Sequence, residues 1–156
     1  MKYPKDWKQT KLKNCSLISG EYGINAAGVP FSENLPKYLR ITDIDDSSNV
    51  LRLNNMVSVN NTESHKYLLE DKDIVFARTG ASVGKTYLHN QEKYGELVFA
   101  GFLIRFRLDS KILLPEFLYQ FCETNDYWNW VKMTSQRSGQ PGINSQEFGQ
   151  LTLPLP

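Results

Sequence analysis

The sequence predicts an α/β chain of the α+β type, with a twisted, mostly antiparallel β-sheet and helices concentrated in its C-terminal half. Two runs, Tyr38-Leu39-Arg40-Ile41-Thr42-Asp43-Ile44 and Phe102-Leu103-Ile104-Arg105-Phe106-Arg107-Leu108, alternate apolar and polar residues as a half-buried strand does. After Leu114 the apolar spacing changes to about 3.6, the period of a helix. The 156 residues, 40% of them hydrophobic, suit one compact domain with a real core.

The elements follow in order. Lys5, Lys8, Lys11 and Lys13 surround Trp7 and Leu12, which reads as a solvated, weakly periodic opening segment before Leu17-Ile18-Ser19-Gly20. Small and turn-forming residues make 22–30 a long loop, and loops of that length inside a compact domain are usually functional or disordered. A strand over 38–44 leads to the turn Asp45-Asp46-Ser47-Ser48-Asn49, and 50–59 reads as another strand with an irregular end. Thr62 or Ser64 is placed to cap a short helical turn through Tyr67 and Leu68. Next come a strand over 73–78, a glycine turn, a strand near 85–89, and paired runs from Leu97 to Leu108 broken around Gly101. Phe102, Ile104, Phe106 and Leu108 share one face and Arg105 and Arg107 the other, which predicts a basic outer face.

Pro115 suits a first helical turn, and Phe117, Leu118, Phe121 and Cys122 form one stripe. Asn125-Asp126 offers a break and a new cap before Tyr127, Trp130, Val131 and Met133. The stretch 134–142 is a polar loop. Asn144 or Ser145 caps a short helix through Phe148, and 151–156 closes as an extended strand.

Net charge is +1, so any nucleic-acid binding must come from local clustering of Lys and Arg. Cys15 and Cys122 lack metal-ligand spacing to each other or to His65 and His89, and read as buried thiols of a reducing compartment. No run approaches a membrane span and no apolar signal region opens the chain, so a soluble, cytoplasmic protein is expected.

Thr79-Gly80-Ala81-Ser82-Val83-Gly84-Lys85-Thr86 looks like a phosphate-binding loop, but Gly80 and Gly84 enclose three residues where that motif needs four. A glycine-rich turn between strands, with Lys85 available to an anion, is the expectation. Asp43, Asp45 and Asp46 would have to carry a metal-dependent nuclease, and turn chemistry explains them better. No nucleophile elbow is present, and neither is an adenine-gripping Asn/Asp-Pro-Pro-Phe/Tyr tetrapeptide. Polar loops do carry side chains that read and position DNA, most densely Gln136, Arg137, Ser138, Gln140 and Asn144. Asn25, Arg78, Ser82 and Lys85 complete the candidate DNA-contacting set.

The ordered series of segments resembles a target-recognition domain of the specificity (S) subunit of a type I restriction-modification enzyme. The resemblance rests on Pro4-Lys5-Asp6-Trp7, Tyr22 to Ala27, Tyr38 to Ile44, Asp73 to Gly80 with Gly84-Lys85, Phe102 to Arg107, Pro115 to Leu118, and Ser138-Gly139 through Asn144 to Pro156. It implies a noncatalytic module spanning 1–156 that reads one half of a split double-stranded DNA site. S-adenosylmethionine, ATP and magnesium would then belong to partner methyltransferase and restriction subunits, with no cofactor in this chain and no membrane contact. The resemblance implies a single recognition domain with the spacer helix and second recognition domain of that family absent, either an excised domain or a half subunit missing its spacer. Lys85 is left between a fold-defining role and a phosphate contact. The competing reading is a nucleotide- or metal-dependent phosphotransferase or nuclease built on residues 80–86. An interaction domain using Tyr127-Trp128-Asn129-Trp130 is a third.

Overall fold

The computed structural model describes residues 2–136 and 141–156. Its strands are β1 (Lys8–Lys11), β2 (Ser16–Tyr22), β3 (Lys37–Leu39), β4 (Val57–Ser58), β5 (Ile74–Ala77), β6 (Thr86–Leu88), β7 (Leu97–Phe99), β8 (Leu103–Leu108) and β9 (Thr152–Leu155). Its helices are α1 (Gln91–Tyr94), α2 (Pro115–Phe121), α3 (Asn125–Ser135) and α4 (Ser145–Gly149). The longer helices fall in the C-terminal half, as the change of period predicts. The strands divide among three sheets with orders β2-β8-β5-β6, β4-β3-β7 and β1-β9, and every named pair is antiparallel except β3-β7.

The central sheet separates two cores. Ile74, Phe76, Ile104 and Phe106 face the helices and join Leu118, Tyr127, Val131 and Phe148. Val75, Ala77 and Leu103 face the other way, toward Leu39, Tyr87 and Phe99 of the neighbouring strands. Phe76 stacks on Phe148 with ring centroids 4.7 Å apart and meets Phe106 edge-on at 5.6 Å. Each such buried ring contributes about 1.5–3 kcal/mol relative to exposure, which is how five-residue α4 is held on the sheet.

Several elements differ from the sequence reading. The opening segment is not merely solvated: Lys8–Lys11 forms β1 and pairs with β9, Lys8 opposite Leu155 and Lys11 opposite Thr152. Its partner comes from the other end of the chain, so no local pattern announces it. The 38–44 strand stops at Leu39, because the Asp43 carboxylate accepts from the Arg40 backbone N–H at 2.9 Å and from its guanidinium, closing a 3-10 turn over Ile41–Asp43. The turn at Ser64–Tyr67 begins after Glu63 without the expected Thr62 or Ser64 cap. A single helical turn, α1, follows Asn90, whose side chain accepts from the Lys93 N–H. Thr124, one residue before the expected break, caps α3. Asn144 caps α4 as predicted, in a reciprocal box with Glu147.

The basic outer face expected at Arg105 and Arg107 is absent. Arg105 is only 5% exposed and pairs with Glu21 at 2.6 Å and Asp73 at 3.4 Å; Arg107 meets Asp73 at 2.7 Å and also pairs with Glu70. Strand alternation shows which face a residue takes, and it cannot show that a second layer covers that face. Phe102 departs in the opposite sense: assigned to the buried face, it is 59% exposed.

Candidate nucleic-acid interface

One end of the molecule carries a groove of about 570 Å³, formed where β2, β3, β5 and the β7–β8 turn all finish. Its walls are largely apolar. The crossing that builds it depends on Gly23, where a Cβ would lie 2.0 Å from the Ala100 carbonyl oxygen, so only glycine lets the two segments touch. The Gly23 N–H then donates to Leu103 and the Ile24 N–H to Phe99. Tyr38, buried at the floor, donates its hydroxyl to the Ala26 and Ile24 carbonyls and pins the loop that follows. Burial raises the Tyr38 pKa, which keeps the phenol in its donating form.

Arg78, immediately after β5, is the cation of this groove. Its guanidinium carbon lies 5.1 Å from the Tyr22 ring centroid and 5.4 Å from that of Phe102, and its Nε donates to the Gly101 carbonyl at 2.9 Å. Its backbone is fixed as well: the N–H donates to Phe102 and the carbonyl accepts from Ile143. Tyr22 accepts the Ser145 backbone N–H on its hydroxyl at 3.1 Å. Burial opposes ionisation of that phenol, but the hydrogen bonds from Ser145 and the Arg78 charge outweigh it, and the pKa is lowered overall.

The structure brings some of the sequence-predicted residues together here. Asn25 lies exposed on the groove rim beside Arg78. Of the described flanks of the polar loop, exposed Gln136 follows α3, while Gly142 bridges Thr79 and Pro141 accepts the Gly80 N–H, bringing the chain back beside Arg78. Arg137, Ser138 and Gln140 lie outside the described residues. Asn144 is exposed, but its side-chain oxygen is engaged as the cap of α4, beside a polar cleft with Lys13 and Ser19.

Ser82 and Lys85 do not line the groove. Lys85 is 12% exposed and its ammonium sits 2.7 Å from the Asp46 carboxylate, in a cleft shared with Trp128 and Tyr119. Tyr22 and Phe102 are the groove residues the sequence reading passed over. Their only signal is long range, since Tyr22 meets Arg78 from the end of β2 and Phe102 from the turn before β8.

The glycine run is a turn. Gly80 and Gly84 hold φ of +73° and +91°, and a Cβ on Gly84 would meet Val131 of α3 at 2.8 Å. The N–H groups of Gly80, Val83, Gly84 and Lys85 donate to Pro141, Gly80, Ala77 and Ser82, so they are not arrayed around an empty phosphate cradle. The acidic run is equally committed. Asp43 is held by Arg40, Asp45 accepts from Ser47 and Ser48, and Asp46 pairs with Lys85 and Arg52. These partners hold the Asp45 and Asp46 carboxyls below their usual range, Asp45 through the Ser47 N–H first and Asp46 through Lys85. Among the described residues, no group of three or more His, Cys, Asp or Glu side chains could hold a metal. No described helix is long and apolar enough to cross a membrane. In the aromatic run, Tyr127 is buried and Trp130 packs on Phe148, leaving Trp128 partly exposed.

Known structures share this architecture. The HsdS subunit from Thermoanaerobacter tengcongensis superposes with a TM-score of 0.72 at 17% identity, over all of this chain and 39% of that one. A structure concerned with complex assembly and conformational transition of the type I R-M system gives 0.73 at 16% identity, again over 100% and 39%. The type I restriction-modification S subunit from M. genitalium gives 0.61 at 13% identity, over 96% and 34%. The fold is therefore that of a domain of type I specificity subunits.

In sequence, the type I restriction enzyme StySPI specificity subunit of Salmonella potsdam is 24% identical over 161 residues, 96% of this chain and 33% of that protein. The chain thus spans about a third of the length of this curated relative. The family model described as type I restriction modification DNA specificity domain matches residues 4–156. The chain belongs to that family, whose business is recognition of DNA sequence and not catalysis.

Proposed function

We propose that residues 1–156 act as one target-recognition domain that reads one half of a bipartite double-stranded DNA site and directs methyltransferase and restriction subunits to it. The observation that carries this reading is the convergence on Arg78 of the 22–28 loop, the Gly101-Phe102 turn and the returning end of the polar 136–142 segment. Polar side chains on loops are thereby held at one end of a rigid sheet, the arrangement by which a scaffold presents varied side chains to base edges. S-adenosylmethionine, ATP and magnesium belong, in this reading, to the partner subunits, and the complex works in the cytoplasm.

A single module buries only about 600–1,000 Å² on DNA, so binding by the chain alone is weak and salt-sensitive. Two or three bidentate base contacts at about 1–3 kcal/mol each still give a measurable preference. The test is enrichment from a randomised duplex pool at several salt concentrations. The expected result is a short, asymmetric preferred sequence; a pool that emerges unselected at every salt concentration would overturn the proposal. Adding a methyltransferase subunit that recognises this domain should then confine methylation to duplexes carrying the enriched sequence.

A further inference from the structure

We propose that Arg78 is the phosphate anchor of this domain, a sequence-independent contact that sets register on DNA while other residues read bases; the inference rests on the DNA-recognition reading above. Three observations lead to it. First, the guanidinium lies over both the Tyr22 and the Phe102 rings, with Nε tethered to the Gly101 carbonyl. Among the described residues, no carboxylate pairs with it and its two terminal amino groups have no acceptor, so two donors of an already restrained side chain are left to a ligand. A fork of this kind matches two oxygens of one phosphate.

Second, the same restraints decide against a base edge. The B-DNA major groove is about 8.5 Å deep, and a side chain that reads it must project from the surface. Arg78 is half-buried over two rings, one from the end of β2 and one from the turn before β8, and extending it would give up both ring contacts and the Gly101 hydrogen bond. The rims of the duplex, where the phosphates are, are what a side chain restrained in this way can reach. Third, the obvious rival for this role is engaged elsewhere. Lys85 is nearly covered and paired with Asp46 in a separate cleft, and a phosphate would have to displace that carboxylate.

The experiment uses the 156-residue chain, the duplex it enriches and a scrambled duplex of equal length. Affinities of the wild type, Arg78→Gln, Arg78→Lys and Lys85→Gln are followed from about 50 to about 200 mM salt. Each phosphate contact contributes about 0.9 to the slope of log affinity on log salt. The wild type should therefore lose about threefold to fourfold more affinity across that range than Arg78→Gln does. The loss in Arg78→Gln should be equal on both duplexes, with the selected sequence unchanged. Arg78→Lys, which keeps the charge without the fork, should bind both duplexes more weakly while keeping most of the salt slope. Lys85→Gln should keep the wild-type slope.

A changed selected sequence in either Arg78 variant would make Arg78 a base reader and overturn the inference. An unchanged salt slope in a folded Arg78→Gln would also overturn it, as would a slope lost on Lys85→Gln instead. If Arg78→Gln does not fold, judged by circular dichroism, Arg78→Lys decides: equally weakened binding of both duplexes with the selected sequence unchanged supports the inference, and unimpaired binding or a changed selection overturns it. A wild-type chain that selects no sequence fails the parent reading, and is distinguishable because the pool experiment precedes every variant.

Discussion

Arg78 follows the end of β5 and Arg105 and Arg107 lie within the neighbouring β8, and the chain treats their charges in opposite ways. Arg105 and Arg107 converge on fully buried Asp73, with Glu21 and Glu70 completing the network and the Leu68 carbonyl accepting from Arg105 at 2.6 Å. Arg78 receives two aromatic rings and a carbonyl and no carboxylate among the described residues. With 18 basic and 17 acidic residues, most of the charge can be cancelled internally, and here it is cancelled even on a strand that alternates like a DNA-facing surface. An arginine in a sequence is therefore a weak sign of a binding surface. What distinguishes Arg78 is how it is held, oriented by neighbours that leave its charge standing.

The largest expected effect lies in the cancelled region. Asp73→Ala leaves Arg105 buried and Arg107 partly buried without their shared carboxylate, and breaking a buried pair costs about 3–5 kcal/mol. That is a large part of a domain's total stability of about 5–15 kcal/mol. Urea denaturation checks it; a loss below about 1 kcal/mol would put these contacts in the class of exposed ion pairs and break the contrast with Arg78.

A middle-sized effect separates the two ends of the sheet. Gly23→Ala drives a Cβ onto the Ala100 carbonyl, a backbone atom that cannot step aside, at a cost of about 1–3 kcal/mol. Because Tyr22 and Asn25 flank it, the folded fraction should also lose DNA affinity. Gly84→Ala meets the Val131 side chain on the helix face and destabilises by a similar ~1–3 kcal/mol, with DNA binding per folded molecule unchanged. Chemical denaturation paired with binding titrations reads both. Equal loss of binding in the two variants would show that the groove end has no special place.

Much of the fold was legible in the sequence, and the site was legible only in part. The alternation over 102–108 located β8, Pro115 located the first turn of α2, and Asn144 located the cap of α4 because each signal is local. β1 was illegible, since its partners in β9 are 141 to 147 positions away, Lys11 opposite Thr152 and Lys8 opposite Leu155. For the same reason Phe102 looked like core and Arg105 like surface: period fixes the face of a strand, and whether that face is covered depends on elements distant in the chain, here Glu21 and the 66–73 segment over Arg105. The spacing of Gly80 and Gly84 was enough to doubt a nucleotide loop. It could not show that Lys85 turns toward Asp46, whose place beside it is set by the tertiary fold.

The smallest effect concerns a third treatment of positive charge, in which the fold refuses it. His89 is fully buried beside the cancelled network, its backbone N–H donating to the Asp73 carbonyl at 2.8 Å. Its Nδ1 lies 2.9 Å from the Tyr87 hydroxyl and its Nε2 2.8 Å from the Gln91 side-chain oxygen. A neutral ring protonated on Nε2 satisfies both, donating to Gln91 and accepting from Tyr87. Burial depresses the His89 pKa below its ordinary 6.5, against smaller opposing contributions from Gln91 and Asp73. The folded chain therefore takes up its proton at a lower pH than the unfolded chain. Stability from this residue is fully present above about pH 6.5 and declines as pH falls from there through the lower folded value. The melting temperature should accordingly drop between neutral pH and pH ~5, and His89→Gln should flatten that part of the profile. Asp46→Asn should act elsewhere, because its carboxyl already titrates below 3.8 and contributes stability lost only in more acid solution. If His89→Gln leaves the decline near pH 6 in place, the proton uptake belongs to another group, and the contrast reduces to the two arginine environments.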